Sequence, residues 1–308
     1  MSTVIAISNR KGGTGKTSLA ACLGLALAAL GYDSVLIDTD TQGSLSGLLG
    51  MVTDVGAVEE TLYRVLVRKF PQPSSAEERR AWQNEGLKIW PADLTPLNIN
   101  QALRDVPGGK IPIIPGILPG QLKLLPGYLL TDTVVREIEI RPGAYGIETT
   151  RELLSRPLAD LPASVDFVIF DSPPSYPLFT AALNIASDVV IVPTTTDYLS
   201  LTAAVEIEQI VELYRQAENP RLRLLGVVPT LTRRNTMSHD AGMAFLRRRY
   251  GDLLMDDIPD RTVWRQAAWE AQTVLTYEPK GPAAEEAWGF VDSVLDRLEV
   301  AHNVKQAG

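Results

Sequence analysis

Cysteine, positive charge and long apolar runs are all scarce in this sequence. The 308 residues include one cysteine, Cys22, so a disulfide within the chain is impossible and a metal cluster held by one chain is not expected. No run of about 18 apolar residues lacks glycine, proline or charge, which predicts no membrane-spanning helix. A net charge of −8 excludes a surface that is basic throughout, although it permits a local basic patch. Nothing resembles a signal peptide, and we expect a cytoplasmic protein.

Three closely spaced glycines lie in one turn, residues 8–18, which reads SNRKGGTGKTS. An apolar run precedes this turn and a long helical pattern follows it, so the order is strand, loop, helix. Its glycines allow backbone N–H groups to close on phosphate oxygens, and the helix adds the positive end of its dipole. Lys16 is expected to contact the β- and γ-phosphates, and the Thr17 hydroxyl to bind Mg²⁺. The turn therefore predicts a nucleotide-binding loop.

The spacing departs from the usual phosphate loop at one end. Arg10 stands where the consensus has glycine, and a second lysine, Lys11, precedes the paired glycines. This K-G-G-x-G-K-T pattern resembles the deviant Walker A loop of the ParA/MinD family of ATPases, and residues 8–11 are more similar to its ParA branch. The resemblance implies that Lys11 reaches across an ATP-bound dimer to the partner's phosphates. The expected nucleotide contacts of the loop are Lys11, Gly12, Gly13, Thr14, Gly15, Lys16, Thr17 and Ser18.

Two carboxylates follow the next predicted strand. Residues 34–44 place Asp38 and Asp40 at the carboxyl end of that strand, where open α/β sheets bind their ligands. The stretch resembles the family's D-x-D-P-Q-G motif, with Thr41 in place of proline. The resemblance implies that Asp40 positions or activates the attacking water and that Asp38 helps to hold the water shell of Mg²⁺.

A third carboxylate ends the apolar run at residues 164–175. Such a run is typical of a strand covered on both faces, and Asp171 stands at its end. The stretch resembles a Walker B strand with the family's D-x-P-P-S motif, which implies that Asp171 binds Mg²⁺ through a water. The expected metal set is Thr17, Asp38 and Asp171, and the expected catalytic set is Lys11, Lys16 and Asp40.

The later sequence predicts further strands at 188–194 and 222–230 and a terminal amphipathic helix at 283–298. By resemblance to the family, Thr230, Pro259 and Arg261 are expected beside the nucleotide base. All these strands fit one α/β fold, a doubly wound and mostly parallel sheet flanked by helices, as in P-loop NTPases of the deviant Walker A type.

The middle of the chain is the least informative part. We expect one domain over residues 1–308 with a variable, insertion-like region at about 70–150. Either 110–116 or 122–127 is expected to supply the strand that the family has there. Residues 129–146 exceed what the family core needs, so they form either a lineage-specific partner site or a solvated insertion. Further helices are predicted at 18–30, 59–69, 74–84 and 201–216.

The resemblance implies an ATP hydrolase that uses Mg²⁺, is slow alone and forms a homodimer in the ATP state. The leading hypothesis is a ParA-like partition ATPase whose dimer binds DNA without sequence preference, associates with the nucleoid and segregates or positions plasmid or chromosomal DNA. A ParB-like or other adaptor would stimulate hydrolysis. Operator recognition is not expected, because no helix-turn-helix domain precedes the first strand. The candidate DNA contacts are Arg233, Arg234, Arg247, Arg248, Arg249, Arg261 and Arg265. For Arg247 to Arg249, an ordinary solvated helix face explains the three arginines equally well.

The alternative is a positioning ATPase for a protein cargo. It would work either on the nucleoid, as in carboxysome or chemoreceptor positioning, or on a membrane as MinD does. A membrane partner is not expected, because residues 283–299 have an acidic polar face and the tail has one lysine. An iron–sulfur relative would need at least two suitable cysteines, and a tyrosine kinase would need a tyrosine-rich tail. Neither feature is present in the sequence.

Overall fold

The computed structural model describes residues 2–51, 61–67, 77, 97–127, 142–173, 177–233 and 236–300. Its strands are β1 Thr3–Ile7, β2 Ser34–Asp38, β3 Arg104–Asp105, β4 Leu122–Leu125, β5 Phe167–Asp171, β6 Val189–Thr194, β7 Arg223–Thr232 and β8 Ile258–Pro259. Its α-helices are α1 Lys16–Ala29, α2 Ser44–Leu48, α3 Leu62–Val67, α4 Ile99–Ala102, α5 Pro142–Ala159, α6 Pro177–Ala186, α7 Tyr198–Ala217, α8 Met237–Tyr250, α9 Thr262–Trp269, α10 Val274–Tyr277 and α11 Pro282–Arg297. In this part of the chain, no helix is both long and apolar enough to cross a lipid bilayer.

The strands form one eight-stranded sheet in the order β3-β4-β2-β5-β1-β6-β7-β8. All neighbouring pairs are parallel except β3 and β4, which are antiparallel. Helices cover both faces and enclose two apolar cores, one beneath α1 and α11 and the other beneath α6, α7 and α8. This confirms the predicted doubly wound, mostly parallel α/β sheet.

Helix α1 is apolar on nearly all sides because it lies between the sheet and α11. Its residues from Leu19 to Ala29 are almost fully buried. Gly24 faces β2 so closely that a Cβ there would lie 2.9 Å from the Leu36 side chain. Gly31, with a φ of 90°, follows the end of the helix, as predicted. The apolar face of α11, including Phe290 and Val291, packs into the same core.

The structure decides between the two strand candidates of the variable region. Residues 122–125 pair with β2 as β4, whereas 110–116 form no strand. The helix predicted at 59–69 is present over 62–67, and its flanks at 59–60 and 68–69 lie outside the described residues. The helix predicted at 74–84 also lies outside the described residues, except for residue 77. Residues 128–141 lie outside them as well. The single domain over 1–308 and the meaning of residues 129–146 therefore stay predictions.

The register of the central strands assembles the carboxyl edge of the sheet. Ile7 at the end of β1 pairs with Asp171, and Asp171 pairs with Asp38 on its other side. Because these strands are parallel, the loop after β1 and the two carboxylates all emerge at one edge.

Candidate nucleotide and magnesium site

The phosphate loop turns from β1 into α1 through two residues in the left-handed region. Gly13 has a φ of 73° and Gly15 a φ of 83°, which favour glycine at both positions. Lys16 begins α1 and is 7% exposed. Its Nζ donates to the carbonyl oxygen of Lys11 at 3.1 Å, so the loop curls around the ammonium group. The loop, its helix N-terminus and this lysine form the cradle that anionic phosphates require.

Polar contacts that the sequence did not reveal hold the loop in place. The side chain of Asn9 is buried; its Nδ2 donates to the carbonyl oxygen of Pro193 at 2.7 Å, and its Oδ1 accepts from the Lys11 N–H at 2.9 Å. Thr230 donates from Oγ1 to the carbonyl oxygen of Thr14 at 2.9 Å. Thr230 therefore lies against the phosphate loop, and its predicted contact with the base stays a prediction.

Asp38 is fully buried at the end of β2 and is well supplied with donors. Its Oδ2 accepts from the Ser46 N–H at 2.8 Å and from the Ser46 hydroxyl at 2.7 Å, and its Oδ1 accepts from the Asp40 N–H at 3.2 Å. Burial nevertheless raises the pKa of Asp38 to about 6, against the effect of the Ser46 bonds. Ser46, on the short helix α2, is a supporting residue that no sequence motif indicated.

Asp171 is equally buried but has few donors. Neither carboxylate oxygen has a hydrogen-bond partner of ordinary geometry in the described structure. Burial, and then the nearby Asp38, raise the pKa of Asp171 well above its usual range, although the Thr17 hydroxyl and Lys16 oppose the rise. A buried carboxylate that lacks donors and faces a second carboxylate is suited to a divalent cation.

The buried carboxylates and the Thr17 hydroxyl are suited to Mg²⁺ that binds together with a nucleotide. The ion prefers oxygen ligands and usually takes one or two carboxylates together with waters and substrate phosphates. The described residues contain no group of three histidine, cysteine or acidic side chains that could enclose a metal without such help. Thr17, Asp38 and Asp171 would hold the ion beside Lys16, as the sequence predicted, and their specific roles stay predictions.

Asp40 lies in the turn after β2 and is partly exposed. Its Oδ1 accepts from the Gln42 N–H at 3.0 Å. Burial lowers the pKa of Lys16, and the negative charges of Asp171 and Asp40 oppose that shift. Asp40 is therefore close enough to act electrostatically on the phosphate-binding lysine while it remains open to water.

Lys11 makes an ion pair away from its own phosphate loop. Its Nζ lies 2.7 and 2.8 Å from the two carboxylate oxygens of Asp197, which caps the N-terminus of α7. Burial opposes ionisation of Asp197, but hydrogen bonds from Lys11, Thr195 and Ser200 outweigh it and lower the pKa of Asp197 below its usual range. Asp197 was not predicted as a site residue, because its partner is 186 residues away in the sequence.

The two remaining base-site candidates lie at the edge of the sheet. Pro259, in β8, pairs with Thr232 of β7. Arg261 binds Glu286 of α11 through contacts of 2.6 to 3.1 Å, so its guanidinium is already engaged. Their contact with a nucleotide base stays a prediction.

The candidate DNA-binding arginines differ in their surroundings. Arg233 and Arg265 both pair with Asp260, and Arg249 pairs with Glu208. Arg247 and Arg248, in the last turn of α8, are exposed and form no ion pair with any described residue. Arg234 lies outside the described residues. A cleft of about 510 Å³, lined by Lys11, Asp197, Arg233 and Arg265 among others, opens beside the phosphate loop.

Comparison with known proteins extends over most of the chain. A family model described as the CobQ/CobB/MinD/ParA nucleotide binding domain matches residues 5–274. The chromosome partitioning protein ParA of Caulobacter vibrioides is 30% identical over 96% of this chain and 94% of its own length. The cell division protein PomZ of Myxococcus xanthus is 27% identical over 97% of this chain and 79% of its own length.

A solved structure supports the fold. Cobyrinic acid a,c-diamide synthase from Mycobacterium smegmatis, with bound ATP analogue and magnesium, superposes with a TM-score of 0.71 at 24% identity, covering 97% of this chain and 96% of that one. The expected P-loop fold is thereby confirmed, and the family description confirms a nucleotide-binding domain; the ATP analogue and magnesium bound to that synthase match the cofactors expected here. The resemblance to ParA and MinD proteins is confirmed as well: the chain belongs to the CobQ/CobB/MinD/ParA family of nucleotide-binding domains.

Proposed function

We propose that this protein is a ParA-like ATPase. It binds Mg²⁺ and ATP, forms a homodimer in the ATP state, binds DNA without sequence preference and hydrolyses ATP to segregate or position plasmid or chromosomal DNA. The observation that carries the proposal is the arrangement of Lys16, Asp38 and Asp171 around one loop, with Lys11 of that loop paired to Asp197 of another element. To reach a partner's phosphates, Lys11 would first have to leave Asp197.

The chain's own residues divide the work of hydrolysis. Lys16 and the N–H groups of the loop hold the β- and γ-phosphates, where they stabilise charge that increases in the transition state. Thr17, Asp38 and Asp171 hold the metal, which when bound neutralises phosphate oxygens. Asp40, which is partly exposed, orients the attacking water. Each catalytic centre is complete only when a second subunit supplies Lys11, so the rate is slow for the monomer.

The exposed arginines of α8 support the proposed binding to DNA. Arg247 and Arg248 are exposed and form no ion pair among the residues that the structure describes, so both charges are available to phosphates. Arg233, Arg261 and Arg265 would first have to leave their carboxylate partners. Dimerisation doubles the number of phosphate contacts and makes binding steeply dependent on salt. The protein is then cytoplasmic and nucleoid-associated when ATP is bound, and an adaptor that carries the cargo stimulates hydrolysis.

A second function keeps the same ATP cycle but moves a protein assembly. The similarity to PomZ, a cell division protein, over 97% of this chain favours that alternative. Both functions share the ATP-dependent dimer, and they differ in the cargo that the adaptor binds.

The test is retention of the protein on a DNA duplex of arbitrary sequence with no nucleotide, with ADP and with ATP, at two salt concentrations. Asp40→Ala is included to hold the ATP state, and Lys16→Ala to prevent nucleotide binding. We expect salt-sensitive retention of wild type and Asp40→Ala only with ATP, and none for Lys16→Ala. Retention that is independent of nucleotide, or an ATP dimer that does not bind DNA, would contradict the proposed ATP-dependent DNA binding. Equal loss of ATP binding in both variants would contradict the roles given to Lys16 and Asp40.

A further inference from the structure

An apolar groove of about 580 Å³ lies outside the nucleotide site, between the loop at residues 108–120 and helices α10 and α11. None of the phosphate-loop residues lines it. The apolar side chains that line it include Leu30, Ile111, Ile113, Ile114, Leu275 and Trp288.

The loop that forms one wall is pinned at both ends. Near its start, the Nζ of Lys110 donates to the carbonyl oxygen of Ala271. Near its end, the N–H of Gly120 donates to the carbonyl oxygen of Ala28 at 2.8 Å. Gly120 also lies so close to the Tyr32 backbone that no side chain fits there. The loop is therefore already ordered, so that a ligand loses little conformational freedom when it binds.

The pinned loop presents apolar side chains to water. Ile113 is 94% exposed and Leu118 is 61% exposed. Pro112 and Pro115 bracket Ile113 and Ile114, and the fixed φ of proline restricts how far the segment between them can fold back. Together with the groove, these side chains form a continuous apolar surface of the kind that marks protein-binding sites.

The exposed charges on the Trp288 side of α11 are acidic. Glu285 and Asp292 lie three residues before and four residues after Trp288 on α11, so all three share one side of the helix. Both acids are exposed and make no ion pair with any residue in the described ranges. Two lysines also lie nearby: Lys110 donates to the carbonyl oxygen of Ala271, and Lys280 is exposed next to Pro279, so the acidic charge is confined to the α11 wall.

We propose that this groove binds an amphipathic, basic segment of a partner protein. Its apolar side chains pack against Ile113 and Trp288, and its lysine or arginine residues lie beside Glu285 and Asp292. A second copy of this chain fits poorly, because a two-fold contact through the groove would bring the acidic faces of two α11 helices together. The groove is separate from the nucleotide site, so this interaction does not depend on the proposed ATPase function.

The test uses the full-length, nucleotide-free protein and a synthetic 14-residue peptide of leucine and lysine with helical spacing. Indole N–H signals are followed by NMR, and Trp288→Phe identifies the relevant signal among those of the five tryptophans. We expect a saturable shift of the Trp288 signal. Ile113→Ser should weaken binding at least about tenfold without unfolding the protein, because this side chain is already 94% exposed. Leu213→Ser, at a 62% exposed position on α7, is the matched control and should bind like wild type.

A leucine and glutamate peptide of the same pattern tests the charge, and it should leave the Trp288 signal unchanged. The proposal is overturned if the lysine peptide does not shift that signal, or if Ile113→Ser or the glutamate peptide binds as well. Self-association of the protein that Ile113→Ser abolishes would assign the groove to a second copy and overturn it too. Because DNA retention with ATP is measured separately, failure here leaves the proposed ATPase function standing.

Discussion

Asp38 and Asp171 show how two carboxylates of similar burial differ in their hydrogen-bond donors. Ser46 supplies Asp38 with two hydrogen bonds, whereas the oxygens of Asp171 have no partner of ordinary geometry among the described residues. Burial raises the pKa of both carboxyl groups. Without a metal, the buried Asp171 carboxylate therefore destabilises the folded state. Binding of Mg²⁺ to the carboxylate would offset this destabilisation.

Asp171→Asn should consequently stabilise the metal-free protein. In EDTA, at a pH above the raised pKa of Asp171, we expect a gain of about 1 kcal/mol in the free energy of unfolding, because a neutral amide costs less to bury than an unpaired carboxylate. Thermal unfolding should show this as a rise in Tm of roughly 2 °C or more. The further rise in Tm when Mg²⁺ and ATP are added should be smaller than in wild type.

Asp38→Asn is the matched control for that experiment. An amide has one oxygen, so it can accept from Ser46 or from the Asp40 N–H but not from both, and this variant should be no more stable than wild type in EDTA. A lower Tm for Asp171→Asn than for wild type in EDTA, with the fold intact, would show that the carboxylate is satisfied without a metal.

At the scale of elements, close backbone contact determines where the loop at residues 108–120 lies. Gly120 packs against the backbone at Tyr32, and its N–H donates to the end of α1. Gly109, in the same loop, has open space where a side chain would extend. One glycine is thus required by packing, and the other is not.

Gly120→Ala should destabilise the protein by about 1–3 kcal/mol, because the new methyl group displaces backbone instead of a flexible side chain. Gly109→Ala should be near neutral or slightly stabilising, since it restricts the unfolded chain without a clash. Chemical unfolding monitored by circular dichroism measures both variants. Equal stability of the two variants would mean that the loop moves away from α1 at little cost.

At the scale of the whole molecule, net charge is a poor guide to the proposed DNA binding. The chain carries a net charge of −8, and four of the seven candidate arginines pair with a total of three carboxylates. Arg247 and Arg248 differ, because they are exposed at the end of α8 with no ion pair among the described residues. A small region of this kind can bind phosphates although the molecule as a whole is acidic.

The double variant Arg247→Ala/Arg248→Ala should therefore weaken ATP-dependent DNA binding for all sequences alike. Each lost phosphate contact should reduce the slope of log affinity against log salt by about 1. Arg156→Ala/Arg215→Ala removes the same charge from two surface ion pairs and serves as the control. If both double variants lose the same affinity, overall charge rather than α8 governs binding.

The sequence alone determined the parts that depend on short-range pattern. The glycines before Lys16 and the apolar strands were enough to predict the phosphate loop and a parallel sheet. The magnesium roles of the acids that end β2 and β5 came from the family resemblance and stay predictions. These signals are local, because a strand, its end and the following turn are contiguous in the chain. The helix beneath the sheet was recognisable for the same reason.

Tertiary structure decided what depends on distant residues. Residues 122–125, and not 110–116, form the strand beside β2. Ser46 donates a hydrogen bond to Asp38, and Lys11 pairs with Asp197, 186 residues away in the sequence. Tertiary structure also pinned the loop at residues 108–120 beside Trp288 to form a groove. The physical reason is that hydrogen bonds, ion pairs and apolar packing form between groups that folding brings together, and residue spacing along the chain does not encode those distances.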